Sequence, residues 1–178
     1  RANSSRAHAG RVELEGDDIS LETGTLIEAK GATKGGTVLI GGDWQGSGTM
    51  RQATAVTMSA DSVIDASATD NGDGGTVVLW SAIDNASSIT TVHGIINAKA
   101  GANGGNGGVV ETTGHHLVLD GYRVSTESIY GLSGLWLLDP YDIAIGTTAS
   151  GTAFSSSGTD YFYTSAAASY INASSIAT

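Results

Sequence analysis

No cysteine occurs among the 178 residues. Disulfides, zinc–thiolate sites and thiol catalysis are therefore excluded together, and the absence fits a chain that must stay unfolded until it is exported. Proline appears once. Basic residues are few: 8 lysines and arginines face 18 acids, for a net charge of −10 with no basic cluster. Nucleic acid is a poor partner for such a surface, because phosphate contacts need positive potential. No apolar run approaches the roughly 18 residues of a membrane-spanning helix. Heptads and amphipathic helical periodicity are missing too, and helix formers such as Lys, Arg and Gln are scarce.

Glycine, by contrast, is abundant, with 26 residues, and it recurs in phase. One phrase is written five times: Ala9-Gly10-Arg-Val-Glu-Leu14, Gly35-Gly36-Thr-Val-Leu-Ile40, Gly74-Gly75-Thr-Val-Val-Leu79, Gly107-Gly108-Val-Val-Glu-Thr112 and Ser133-Gly134-Leu-Trp-Leu-Leu138. Counted from the second small residue, the steps are 26, 39, 33 and 26 residues. A repeat of this length signals a solenoid, in which one unit buries its apolar face only when neighbours stack on it. The varying step places the extra length in loops.

Two further segments recur. The first reads Ile19-Ser-Leu21, Val56-Thr-Met58 and Leu117-Val-Leu119, with a looser copy at Ile89-Thr-Thr91; the second reads Thr25 to Lys30, Ser62 to Ser67 and Gly94 to Lys99. Short, alternating, β-branched segments separated by Gly, Asn and Asp have strand periodicity. Three strands per unit predict an all-β fold: a right-handed, three-faced parallel β-helix of about 4–5 coils. Alternation then assigns faces. Val12, Val38, Val77, Val110 and Trp136 form one inward column, and Leu14, Ile40, Leu79, Thr112 and Leu138 the next. Ile27, Ile64 and Ile96 stack on the third face, as do Ala29, Ala66 and Ala98. The glycines are expected to supply positive φ angles at the corners.

Taken together, the repeated Gly-Gly-x-Val, the stretch Gly104 to Gly114 and the string Gly134-Leu-Trp-Leu-Leu-Asp-Pro-Tyr-Asp-Ile-Ala-Ile145 resemble the large exoproteins of two-partner secretion, the filamentous-haemagglutinin-like adhesins of Gram-negative bacteria. The resemblance spans roughly residues 10–178. It departs from that family's secretion domain in lacking an Asn-Pro-Asn-Gly type signature and a signal peptide, so the chain reads as an internal piece of a longer fibre. The resemblance implies a secreted, cell-surface protein exported by an outer-membrane transporter, with adhesion to host cells, bacteria or matrix polysaccharide. It also implies more β-helix at both ends, from the same chain or stacked copies.

Candidate chemistry is sparse. Asp70-Asn-Gly-Asp73 places two carboxylates at calcium-loop spacing but lacks a distal bidentate Glu. It reads first as turn chemistry, with Asp70 and Asp73 as a weak calcium candidate and no other cofactor expected. His115 and His116 are adjacent on a strand and point to opposite faces, so an exposed corner pair is expected. Glu28, Asp65 and Asn97 share an outward column. One member is an amide, and no Lys or Arg stands at matching phase to serve as base, so a solvated polar ladder is expected and no enzyme. Trp136 is inward. Trp44 and Trp80 either pack against an insertion at 43–53 or stand exposed as ligand-contact platforms for sugars. Leu39, Val78, Leu135 and Leu137 are outward, apolar and in need of cover. Sequons at Asn3, Asn85 and Asn172 are uninformative in so Asn- and Ser-rich a chain.

The organisation expected is a frayed lead-in at 1–9, coils over 10–145, a Gly/Ser/Thr/Ala-rich extra-helical loop at 146–168, and the start of a further coil at 169–178. The function expected is a structural shaft segment of an adhesin, supporting adhesion, aggregation or biofilm matrix. A polysaccharide- or host-glycoprotein-binding module and a β-helical carbohydrate-active enzyme are the alternatives.

Overall fold

Three-to-six-residue segments rich in Val, Ile, Leu and Thr are too short to hold a sheet within one coil, so each pairs with its own copy one coil away. The computed structural model describes residues 1–141, 144–146 and 170–172. Coil one holds β1 (Arg11–Leu14), β2 (Asp18–Leu21) and β3 (Leu26–Glu28). Coil two holds β4 (Thr37–Ile40), β5 (Ala55–Met58) and β6 (Val63–Asp65). Coil three holds β7 (Thr76–Trp80), β8 (Ile89–Val92) and β9 (Ile95–Asn97). Coil four holds β10 (Val109–Gly114), β11 (His116–Leu119) and β12 (Arg123–Ser125). β13 (Leu135–Pro140) and β14 (Ala144–Gly146) follow, then β15 (Tyr170–Asn172).

The strands form three sheets, and every pairing is parallel: β1-β4-β7-β10-β13, β2-β5-β8-β11-β15-β14 and β3-β6-β9-β12. The fold is an all-β parallel β-helix. Among the described residues the helical content is one 3-10 turn, Trp44–Gly46, and no helix is long and apolar enough to cross a membrane.

The core is a stack of like on like. Val12, Val38, Val77, Val110 and Trp136 are in register, as are Leu14, Ile40, Leu79, Thr112 and Leu138. Ile27, Ile64, Ile96 and Val124 line up on the third face. The middle coils are dry, with Val38, Ile40, Ile64, Val77, Leu79 and Ile96 wholly buried. At the ends Val12, Leu14, Trp136 and Leu138 are only partly covered.

The second sheet corrects the register of coil three by one residue. Ile19, Val56, Thr90 and Leu117 share the inward column, followed by Leu21, Met58, Val92 and Leu119. Thr90 is fully buried. It is tolerated there because its Oγ1 donates to the carbonyl of Thr113 at 2.7 Å and lies 2.9 Å from Ser81 Oγ. A satisfied inward threonine hid the alternation, and β12 escaped the sequence reading in a similar way, since Arg123-Val-Ser125 offers a single apolar residue.

The repeated glycines also need a different explanation. Gly36, Gly75, Gly108 and Gly134 are absent from the residues of positive φ. What they permit is close approach. A Cβ at Gly36, Gly75, Gly108 or Gly134 would lie 2.2, 2.0, 2.1 or 1.8 Å from the carbonyl oxygen of the matching glycine one coil earlier. Each of those carbonyls accepts from the next residue of the following coil, as in Val109 N to Gly75 O at 2.9 Å.

Residues 1–9 are not frayed. Ala2 N donates to Glu28 O as Ala29 N does to Asp65 O, and Gly10 N closes on Ala2 O as Gly36 N closes on Ala29 O. The segment is one more corner of the stack. β15 lies between β11 and β14 in the second sheet, not beyond the last coil. Residues 147–169 and 173–178, with most of the expected extra-helical loop and its Asp160-Tyr-Phe-Tyr163 cluster, lie outside the described residues.

Candidate functional site: a covered face and a polar groove

The first sheet presents an outward column of Glu13, Leu39, Val78, Glu111 and Leu137. Its three apolar members, Leu39, Val78 and Leu137, would leave a sticky strip, and the insertion of coil two covers part of it. After Gly41 the chain leaves the ladder and returns at Ala53, which is wholly buried and bridges to Ser81. Residues 43–52 therefore form a strap, one residue shorter than expected. Asp43 caps its 3-10 turn by accepting from Trp44 N at 2.7 Å. Beneath it Leu39, Val78 and Trp80 are buried, and Trp44, Met50 and Ile83 pack on them.

Trp80 is 4% exposed. The rings leave no space at Gly42 and Gly46, where a Cβ would fall 2.5 Å and 2.7 Å from indole carbons. A sugar platform needs an open ring face, so Trp80 is a packing residue; Trp44 is half-buried above it. Trp80 Nε1 has no hydrogen-bond partner among the described residues, a cost offset by the apolar area the ring covers.

Glu111 is the unexpected member of this face. It is wholly buried, one oxygen accepting from Gln45 N of the strap at 2.8 Å and the other from Thr113 Oγ1 at 3.0 Å. Burial pushes its carboxyl above the usual carboxylate range, and the negative charges of Asp139 and Asp43 push the same way. The sequence offers one signal for it: an acid set between Val78 and Leu137 in the outward column. The strap that buries it comes from a different coil, which local pattern does not show.

The third sheet carries the polar ladder Glu28, Asp65 and Asn97, continued by Ser125. Here a cation does stand close, against expectation. Lys30 lies two residues beyond Glu28, with Nζ 2.6 Å from Glu28 Oε1 and 3.8 Å from Asp65 Oδ2. Arg1 Nε (2.8 Å) and Asn3 Nδ2 (3.2 Å) hold the other oxygen of Glu28. The bond from Lys30 holds Glu28 below the usual carboxylate range, and the same bond raises Lys30. Both shifts keep the groups charged, the reverse of what a general acid or a lysine base requires. Beside the ladder runs a groove of about 490 Å³, lined among others by Lys30, Asp65, Ser67, Asn97, Lys99 and Ile129.

The remaining candidates stitch coils together. Asp70 Oδ1 accepts from Asn103 Nδ2 at 2.6 Å, and Asp73 Oδ1 from Asn106 N at 2.7 Å. Each carboxylate thus reaches the corner of the next coil. Among the described residues no three of His, Asp and Glu form a group fit to hold a metal ion. His115 and His116 are half-buried, not exposed. Their rings lie within hydrogen-bond distance of the carbonyls of Ile83 (2.9 Å) and Ala86 (3.0 Å), and His115 stacks on Tyr141. Trp136 is inward as expected, edge-on to Tyr122, with Nε1 donating to Thr112 Oγ1.

No family model matches the sequence, and no curated protein matches it. Among solved structures, the chain is similar to the HMW1 secretion domain from Haemophilus influenzae, with 29% identity and a TM-score of 0.56. The match covers 73% of this chain and 32% of that one, so the chain spans about a third of the length of the structure it resembles. The class defined by the fold is a parallel β-helical segment, similar in sequence and shape to part of a secretion domain.

Proposed function

We propose that the chain is a structural shaft segment of a secreted, surface-associated bacterial exoprotein, exported by an outer-membrane two-partner-secretion transporter and supporting adhesion, aggregation or biofilm matrix. The observation that carries this reading is the 29% identity to a secretion domain across 73% of the chain. The unbroken columns of the described coils agree with it, since a shaft needs a stack that repeats and little else. In this reading the segment is not an enzyme: Glu28, in the outward polar ladder, is held ionised by its bond from Lys30. The second reading, a polysaccharide- or host-glycoprotein-binding module, is favoured by the open groove that Lys30 and Lys99 line together with Asn97 and Ile129.

The test is to express the full reading frame in a Gram-negative host with and without its partner transporter. External protease should reach coils one to four only when the transporter is present, and cells displaying them should gain attachment to each other or to a surface. Equal exposure without the transporter would overturn the export route. Display without any gain in attachment would overturn the adhesive role.

A further inference from the structure

Glu111 is where the strap ends its reach. The segment leaves coil two at Asp43, crosses Leu39 and Val78, and sets Gln45 N 2.8 Å from Glu111 Oε2, 66 residues further along the chain. Gln45 has a left-handed φ of +51° without being glycine, a conformation that a non-glycine residue holds only when its surroundings impose it. Among the described residues, the groups around the carboxylate offer it no cation. Thr113 Oγ1 donates to its second oxygen. The charged groups facing it are Asp43 on the strap and Asp139 on β13, both acidic. Arg11 of β1 is engaged with Glu13 and with Asp43, the latter at 3.5 Å.

We propose that the strap is a proton-gated cover: with Glu111 protonated it stays seated on the first sheet, and when Glu111 ionises it lifts, uncovering Leu39, Val78 and Trp80. A charge shut away from water beside two like charges is costly, and lifting the strap wets it. The neutral acid carries no such cost and still accepts from Gln45 N through its carbonyl oxygen. The direction follows from linkage. A group that binds its proton more tightly when covered than when wet favours the covered state at low pH, and the open-to-closed ratio climbs by up to about tenfold per pH unit between its two pKa values. Below both values, and above both, the ratio is flat. Glu28 moves the opposite way and lies on another face, so it does not mimic the effect.

Hydrogen exchange on the 178-residue chain tests the cover directly. Protection factors for the amides of residues 44–52, corrected for the intrinsic pH dependence of exchange, are compared between pH 4 and 8 with those of β7 and β10. In the parent the strap should lose about tenfold or more of its protection as pH rises, while the strands hold theirs. Glu111→Gln should keep the strap protected at every pH. Asp139→Asn, which removes a facing charge without touching the strap, should shrink the loss. A pH-independent strap in the parent would overturn the proposal, as would a loss that persists in Glu111→Gln. If the strand amides show that Glu111→Gln has not folded, Asp139→Asn decides: an unchanged loss refutes the gate.

Discussion

Replacing Gly108 by alanine adds one methyl group at the tightest kind of corner in this stack. That methyl would lie 2.1 Å from Gly75 O, 2.7 Å from Gly74 C and 2.8 Å from Gly75 N, all backbone atoms. Ordinary contact for a Cβ starts at 3.4 Å, so coil four must draw back from coil three by more than an ångström. Two bonds resist the movement: Val109 N to Gly75 O at 2.9 Å and Gly108 N to Ala98 O at 2.7 Å. Overpacking costs about 1–3 kcal/mol, and straining or losing two buried backbone bonds adds roughly 1–3 kcal/mol more. A loss of about 2–6 kcal/mol is a large share of the roughly 5–15 kcal/mol that holds a domain together. Gly24→Ala is the control. Gly24 has φ +81° with nothing within 4 Å of an added Cβ, so only the left-handed backbone is penalised, by roughly 1–2 kcal/mol. Urea unfolding followed by far-ultraviolet circular dichroism ranks the two variants. If Gly108→Ala proves no more destabilising than Gly24→Ala, close approach is not what the repeated glycines are for.

Two further outcomes are expected. Glu28 is held low by Lys30, so its contribution is present above the unfolded-state carboxylate value and lost as pH falls through the lower folded value. Thermal melts of Glu28→Gln across the acid range should therefore lose less stability on acidification than the parent; parallel curves would count against the Lys30 pairing. Replacing residues 44–52 by a short Gly-Ser link should leave the β signal intact while exposing Leu39, Val78 and Trp80, at a cost on the order of 3 kcal/mol and with self-association visible by sedimentation. Global unfolding would mean the strap is part of the ladder.

The columns of the first sheet were legible because each coil repeats the same residue types at the same phase: Val12, Val38, Val77 and Val110 announce their own register. The third sheet was legible through Ile27, Ile64 and Ile96 for the same reason. Legibility failed where a position broke type. Thr90 sits inward among Val56 and Leu117 because local hydroxyl and carbonyl partners satisfy it, and no apolar pattern reports that. Gly75 and Gly108 were visible as landmarks, but their purpose depends on a carbonyl one coil away. Glu111 was missed, and the packing of Trp80 was left open beside a sugar platform, because their cover arrives from residues 43–52, a contact set by stacking and carrying no periodicity. Lys30 was overlooked as the partner of Glu28 because phase was matched across coils and not along one coil.

The ladders have a mechanical consequence. Strands lie across the rod, so their hydrogen bonds run along its axis, and three sheets cross the junction between coils three and four together with the glycine corner. Tension applied along the rod loads that whole ring of bonds at once, and none can fail without the others taking its share. Unwinding from an exposed end loads them one after another. A rod built this way resists being pulled apart and yields to being peeled, so its weakest direction is set by which end is left open.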